Sequence, residues 1–267
     1  MNEVDAESGY LLDNAAADAG GRFGALSALF DPVTAGHVDA LGIRPGWRCW
    51  EVGAGGPSVP RLLRDRVGSS GYVLATDVDV QWMDSSPAAG VEVRRHDVAI
   101  DDPPGEDFDL VHARLVLVHL ADRDAALRRM VAALRPGGWL LIEDFDTALQ
   151  PKACLDPGRP EEHLANHIRA GFLILLGERG ADLRYGRRLP RLMREAGLTE
   201  VTADAYFPVA QPAVTALDVA NLNQVRGALV AHGLATEAEI QEYLEVLATG
   251  QLDLVTPPLI CVRGRRG

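Results

Sequence analysis

Residues 47–58, WRCWEVGAGGPS, decide the fold of this chain. The segment begins as an apolar run, typical of a buried strand, and it ends in glycines at positions 53, 55 and 56. Apolar residues then recur at helical spacing as far as Val67. Glycines at such a turn let the backbone approach a ligand closely, although a plain tight turn would also use them. The segment therefore predicts a strand, a glycine loop and a helix, the first unit of an α/β fold.

Strand-like and helix-like segments alternate from this unit to residue 146. The further strand patterns are Tyr72–Asp79, Val91–Asp97, one within Phe108–Leu117, and Trp139–Asp144. A helical stripe lies between the last two and is stopped by Pro136, which cannot continue a helix. Because strands that alternate with helices form βαβ units, we expect a mostly parallel sheet with helices on both faces.

The second half of the chain is mainly helical. Helical patterns cover residues 160–178, 189–196 and 214–249, and strand patterns cover residues 200–208 and 259–262. The sequence thus predicts a doubly wound, Rossmann-like α/β fold with seven strands, mostly parallel, the last two forming an antiparallel pair. We expect a helical cap in residues 1–42, broken at Asp31-Pro32, a core in 43–208, a helical insertion in 209–250 and the final strand in 251–267.

Composition narrows the classes of partner and compartment. Asp and Glu total 38 against 26 Lys and Arg, a net charge of −12, which disfavours nucleic acid and anionic membranes. Cys49, Cys154 and Cys261 have no short spacing, so neither a disulfide framework nor a metal motif is predicted. The first ten residues are acidic and lack an apolar stretch, so we expect no signal peptide, and no apolar run reaches about 18 residues, so we expect no transmembrane helix. We expect a cytoplasmic monomer or homodimer that binds a small molecule and no metal.

Acidic residues end the second and third predicted strands. Asp77 lies 22 residues beyond Gly55, where an acid can hold the two hydroxyls of a ribose. Asp97 and the following Val98 are placed to contact an adenine, and Trp82 to cover its face. Turn or capping roles for the acids, and a partly buried loop position for the tryptophan, are the structural alternatives.

The loop favours S-adenosylmethionine over a dinucleotide. The dinucleotide fingerprint requires a third glycine where Ser58 stands. Glu51 would repel a pyrophosphate, whereas it suits the α-ammonium of a methionine.

Five motifs together resemble those of class I S-adenosylmethionine-dependent methyltransferases. They are EVGAGGPS (51–58), ATDVD (75–79), RRHDV (94–98), FDLVHARLVLVHL (108–120) and LRPGGWLLIED (134–144). The resemblance covers residues 20–263 and is to the bacterial small-molecule branch met in natural-product pathways. It implies methyl transfer to a small organic acceptor, with S-adenosylhomocysteine as product.

The resemblance also assigns cofactor contacts. It places Glu51, Gly53 and Gly55 at the methionine end and Arg114 beside the sulfonium; Ala54 and Val78 complete the predicted set. Pro57 departs from the family pattern, which has a glycine there. Two alternatives therefore stay open: an S-adenosylmethionine-binding enzyme of non-methylating chemistry, such as cyclisation, and a non-catalytic partner subunit.

His119 is the predicted catalytic base, because it follows the fourth strand and histidine titrates near neutral pH. A packing role is its alternative. His112, inside that strand, is interpreted as a core residue, and Glu143 and Asp144 as residues that orient a ligand or cap a turn. His163 and His167 are four residues apart on one helix, which allows a metal ligand pair, a pocket wall or an ordinary helix face. Tyr10, Arg22 and Phe23 are expected near the methionine end, within a lid that excludes water.

Overall fold

A seven-stranded sheet forms the centre of the described part of the protein, in the order β3-β2-β1-β4-β5-β7-β6. The computed structural model describes residues 11–12, 19–84 and 89–267. The first five strands are parallel, and β7 runs antiparallel to both β5 and β6. The strands are β1 Arg48–Val52, β2 Tyr72–Asp77, β3 Val91–Arg95, β4 Phe108–Arg114, β5 Leu134–Phe145, β6 Leu198–Tyr206 and β7 Leu259–Arg266. The predicted doubly wound fold and its antiparallel last pair are confirmed.

Helices cover both faces and the carboxyl edge of this sheet. They are α1 Ala19–Ala40, α2 Ser58–Val67, α3 Gln81–Asp84, α4 Arg123–Ala133, α5 Pro160–Glu178, α6 Tyr185–Glu195, α7 Pro212–Ala231 and α8 Glu237–Thr249, with a 3-10 turn at Leu117–His119. The single helical pattern predicted over 214–249 is thus two helices. They separate at Gly233, whose φ is +67°, and Thr236 caps the second through the backbone N–H of Glu239. None of the described helices is long and apolar enough to cross a membrane.

Alternation along β1 explains how one strand serves two cores and a site. Trp50 and Val52 point to the face covered by α4 and α6, whereas Cys49 points to the face covered by α2. Glu51 therefore shares the face of Cys49, and it is only 2% exposed. A carboxylate buried at the end of a central strand needs a partner, and the structure supplies one from β4.

The predicted break at Asp31-Pro32 is wrong, because α1 continues through Pro32 to Ala40. A proline inside a helix removes one backbone hydrogen bond and is normally costly. Here Asp31, Thr34 and His37 recur at three-residue spacing on one side of α1, and all three bond to side chains of β4 or β5. These tertiary bonds on both sides of Pro32 explain why the helix persists. α1 also packs along α7.

Candidate active site

A cavity of about 810 Å³ opens at the carboxyl edge of the sheet. Sites for single small molecules span roughly 300–1,000 Å³, so a nucleoside cofactor and a second small molecule can share this volume. The described elements around it are α1, the ends of β1 to β5, the starts of α2 and α3, the 3-10 turn, α5, α7 and the segment before β7. Its walls include every residue predicted to contact the cofactor, together with the predicted base: Glu51, Gly53, Ala54, Gly55, Asp77, Val78, Trp82, Asp97, Val98, Arg114 and His119.

The glycine loop has a backbone shape that only glycine adopts without strain. Gly53 and Gly55 have φ of +62° and +61°. A Cβ on Gly53 would overlap the Cγ2 atom of Val116, and one on Gly55 would lie 2.7 Å from the Phe23 ring. The loop is therefore closed in by neighbouring side chains as well as being turned tightly. Such a cradle fits a ligand that contacts backbone, which is the role that the sequence predicts for these positions.

Pro57 precedes α2 as its N-cap rather than occupying its first turn. It provides no side-chain cap to the helix. The following Ser58 receives a hydrogen bond from Ser27 of α1 at 2.9 Å. The position that would be the third fingerprint glycine is thus used to join α1 to α2.

Asp77 joins the end of β2 to the glycine loop. Its carboxylate accepts hydrogen bonds from the Gly55 N–H at 2.8 Å and from the Asp79 N–H at 3.0 Å. Burial raises the pKa of Asp77 against these two donors, since only 5% of the residue is exposed. The side chain fixes the loop while it lines the cavity, so the capping alternative and the predicted ligand role involve the same carboxylate.

The adenine side of the predicted site is assembled less tightly. Asp97 accepts the Ala99 N–H at 2.8 Å, which is the turn role weighed for it from sequence. Val98 is buried against the cavity, whereas Val78 is 53% exposed. Trp82 packs on Gly20 of α1, where a Cβ would lie 2.9 Å from its ring. These side chains make a shallow wall that a flat, apolar ring could cover.

Glu51 pairs with His112 beneath the cavity floor. Glu51 Oε2 lies 2.5 Å from His112 Nδ1, and His112 Nε2 lies 3.5 Å from Glu143 Oε2. Burial alone would lower the pKa of His112, but the two carboxylates raise it to about 9. Burial raises the pKa of Glu51. His112 is therefore a buried cation between two acids, more than the core residue that the sequence suggests.

The network continues from Glu143 to the protein surface through α1. Thr34 Oγ1 donates to Glu143 Oε2 at 2.5 Å, and His37 bridges Glu143 Oε1 at 2.8 Å and the exposed Asp204 at 3.0 Å. The hydrogen bond to Glu143 raises the pKa of His37. Although burial opposes it, hydrogen bonding to His112 and His37 holds the pKa of Glu143 well below its usual range. Glu143 does not line the cavity; it fastens α1 to the sheet.

Arg114 has a related role at the end of β4. Its guanidinium donates to Asp31 at 2.8 Å and to Thr34 at 3.0 Å. The side chain thus points toward α1 while the residue lines the cavity. Because the guanidinium is held by α1, the contact beside the sulfonium predicted for Arg114 stays a prediction for its main chain.

His119 ends the 3-10 turn and faces the cavity. Burial and the nearby cations Arg22 and Arg123 lower the pKa of His119 to about 3. A histidine with so low a pKa stays neutral but is a weak general base. Below the turn, Asp144 accepts the Val118 N–H at 3.2 Å, and burial raises the pKa of Asp144 to about 8. Asp144 supports the turn rather than the cavity wall.

The histidine pair of α5 lies outside the cavity, whereas two of the predicted lid residues line it. His163 and His167 are exposed on α5 and lie outside the cavity wall, so the pocket-lining alternative is wrong for them. His167 is 3.7 Å from Glu239. Arg22 and Phe23 do line the cavity, with the Arg22 guanidinium 4.9 Å from the Phe23 ring centre. Tyr10 lies outside the described residues.

One group has a composition that suits a metal. His37, Glu143 and Cys261 place ligand atoms within 4.8 Å of one another. The histidine and the carboxylate are already hydrogen-bonded to each other, and burial raises the pKa of the Cys261 thiol strongly. A protonated thiol is not a metal ligand, so we assign the group to the network under α1.

Sequence reasoning missed this network and the far half of the cavity. Thr34 and His37 carry no motif, and their partners are 109 and 106 residues away. Their three-residue spacing on one helix face was the signal that could have paired them with strand-end acids. The far half, which we name the distal lobe, is lined by His119 and by residues from the end of β5, α5, α7 and the segment before β7.

Residues 22–203 match the sequence profile of a family described as "Methyltransferase domain". The chain belongs to the S-adenosylmethionine-dependent methyltransferases. The family and the cofactor expected from sequence are thereby confirmed. The matched segment contains the glycine loop, the acidic strand ends and, apart from Asp204, the network under α1.

Individual relatives show how far the likeness extends. The chain is 32% identical over 221 residues to methyltransferase str2 of Strobilurus tenacellus, covering 72% of this chain and 77% of that protein. It is 27% identical over 187 residues to phosphoethanolamine N-methyltransferase 3 of Arabidopsis thaliana, covering 64% of this chain. The match spans about a third of the length of that plant enzyme, 33%.

Solved structures share the fold at low sequence identity. A structure described as that of a methyltransferase from an antibiotic biosynthesis pathway of Anabaena variabilis has a TM-score of 0.62 at 15% identity, covering 87% of this chain and 96% of that one. Phosphoethanolamine N-methyltransferase 2 of Haemonchus contortus, solved with phosphomonomethylethanolamine and S-adenosylhomocysteine, has a TM-score of 0.55 at 13% identity, covering 94% and 57%.

Proposed function

We propose that this protein transfers a methyl group from S-adenosylmethionine to a small organic molecule, in a pathway of secondary metabolism. The observation that supports it most is the single cavity in which Glu51, Asp77 and the glycine loop adjoin an apolar distal lobe. Family membership supports the chemistry, and the antibiotic-pathway relative is consistent with the metabolic setting.

The cavity fits the two ends of the cofactor. Glu51, a buried acid at the floor, is already paired with His112 and would share its carboxylate with an ammonium bound above it. Asp77, already oriented by two backbone N–H groups, has the geometry to accept from ribose hydroxyls as well. Val98 and Trp82 offer apolar surface to the adenine ring of the cofactor.

When bound, S-adenosylmethionine supplies an activated methyl group, so this chain's task is alignment and exclusion of water. Holding two reactants in register can contribute roughly 7–11 kcal/mol. α1 can help to hold the two reactants in place, because Thr34, His37 and Asp31 fasten this helix to the sheet beside the cavity. Phe23 and Trp82 meet at 6.1 Å between ring centres above the loop and shield it from solvent.

Calorimetric titration with S-adenosylmethionine and S-adenosylhomocysteine tests the proposal. The wild type is expected to bind both, and Asp77→Asn to bind at least about tenfold more weakly, because a charged acceptor is lost from a buried site. Glu242→Gln, at an exposed position of α8, is the matched control and should bind as the wild type does. Equal and poor binding by wild type and Asp77→Asn would overturn the proposal.

A further inference from the structure

A second, smaller cavity lies directly behind one wall of the distal lobe. Its volume is about 20 Å³, which is room for a single water molecule. Three residues line both cavities and therefore form the partition between them: Arg169 and Phe172 of α5 and Asn221 of α7. The other described residues around the smaller cavity are Ile168, Asp218, Leu222, Val225, Leu229 and Tyr243.

The Arg169 side chain is a fixed part of this partition. Its guanidinium donates to Asp218 Oδ1 at 2.7 Å and to the Val255 carbonyl at 3.5 Å. The hydroxyl of Tyr243 in α8 donates to Asp218 Oδ2 at 2.5 Å. Arg169 is 8% exposed. Because separating a buried ion pair leaves an uncompensated charge, we expect Arg169 and Asp218 to stay together when a ligand binds.

The backbone of α5 is also fixed beside the partition. Gly171 lets α5 approach the end of α7 closely, since a Cβ at this position would lie 3.0 Å from Leu229 Cδ2 and 3.2 Å from Leu234 Cβ. A helix packed this tightly has no room to shift toward α7. The depth of the lobe on the side of α5 is therefore set by the Phe172 side chain, which is partly buried against the same apolar core.

The distal lobe offers a mainly apolar surface in front of this ring. Besides Phe172, its wall carries the side chains of Phe145, Leu173, Leu176, Leu217 and Pro257. Each methylene that is buried against such a wall strengthens binding about fourfold. A methylene that meets a filled position gains nothing, because overpacking is itself unfavourable.

We propose that the methyl acceptor has an apolar part whose length is limited by Phe172, a specificity-determining residue of the distal lobe. The proposal rests on the proposed function, since it concerns the second molecule of the same site. A smaller side chain at position 172 joins the smaller cavity to the lobe, so the space for an apolar chain extends between α5 and α7. The ion pair of Arg169 and Asp218 remains satisfied at the back of that space.

A series of probes of increasing length tests this limit directly. The full chain is saturated with S-adenosylhomocysteine and titrated calorimetrically with 4-n-alkylphenols, from 4-ethylphenol to 4-heptylphenol. The affinity of the wild type is expected to rise about fourfold per methylene until the chain reaches Phe172, and then to stay constant or fall. In Phe172→Ala the limit should move by about two methylenes, so that the longest phenols bind at least about tenfold more tightly than they bind the wild type.

A milder variant and a matched control complete the test. Phe172→Leu removes less of the side chain and should move the limit by about one methylene, and both variants should bind S-adenosylhomocysteine as the wild type does. Ile174→Ala changes an exposed residue of α5 outside both cavities and should keep the wild-type limit.

Three results would overturn the inference. They are wild-type affinity that rises through the whole series, no binding of any phenol, and a limit that is unchanged in the Phe172 variants or moves equally in Ile174→Ala. Failure of the wild type to bind S-adenosylhomocysteine would instead contradict the proposed function, so the two failures are distinguishable.

Discussion

The two halves of the cavity are built in different ways. The half formed by β1, β2 and β3 consists of backbone and of strand-end acids, held by hydrogen bonds such as that from Gly55 to Asp77 at 2.8 Å. The distal lobe consists mainly of side chains from α5 and α7, together with the end of β5. The first half is specified by short sequence segments, whereas the second depends on how helices far apart in sequence pack.

This contrast separates what a family shares from what a member specialises. Backbone geometry and buried acids recognise a common ligand and tolerate few substitutions. Apolar helix faces can change residue by residue while the fold is kept. We therefore expect changes that disturb the loop geometry or the acids of the first half to weaken cofactor binding, and changes in the distal lobe to alter the acceptor alone.

The largest effect is expected from Gly53→Ala. Its φ of +62° is strained for alanine, and the new Cβ would overlap the stiff, β-branched Val116. Strain of roughly 1–3 kcal/mol that falls on the loop should weaken S-adenosylhomocysteine binding about 10- to 100-fold by calorimetry.

Gly56→Ala is the matched control for this change. Gly56 has an ordinary φ, and its nearest neighbour to a new Cβ is the Phe23 side chain at 3.9 Å. Binding should stay within about twofold of wild type, since that distance is normal packing. If both glycine variants weaken binding to the same extent, loop geometry is not what the first half depends on.

Most of the fold and the first half of the site were predictable because their signals are local. EVGAGGPS lies at 51–58, and the acids Asp77 and Asp97 stand at the ends of apolar runs. Such strand ends meet at one edge of a parallel sheet whatever the helices do. The positions, although not their ligand roles, therefore followed from the sequence.

The network under α1 and the distal lobe were not predictable, for a physical reason. Glu51 and His112 are 61 residues apart, and Glu143 and His37 are 106 apart. Their pairing depends on strand register and on α1 continuing through Pro32, which local propensity argues against. In the same way, the distal lobe depends on how α5 and α7 pack over the edge of the sheet, which no periodicity identifies.

A smaller effect should appear in the pH dependence of cofactor binding. Burial raises the pKa of Glu51, so its carboxylate takes up a proton at a higher pH than an ordinary glutamate does. Only the ionised form attracts an ammonium; affinity for S-adenosylhomocysteine is therefore expected to decrease as pH is lowered from 7 to 5. Titrations at several pH values in one buffer series measure this.

Glu51→Gln removes the titrating group and provides the comparison. Its affinity should be low throughout, and it should lose the pH dependence between 5 and 7. A wild-type affinity that is constant over this range, or that rises as the pH falls, would show that Glu51 does not face the ammonium.

The smallest effect is that two histidines, His112 and His119, should not titrate between pH 5 and 8, for opposite reasons. His112 has its pKa raised to about 9 by two carboxylates, and His119 has its pKa lowered to about 3 by burial and two arginines. Between pH 5 and 8, histidine NMR signals should show His112 protonated throughout and His119 neutral throughout. His112→Asn and His119→Asn assign the two signals. A His119 signal with a midpoint between pH 6 and 7 would contradict this expectation and would restore His119 as a candidate general base.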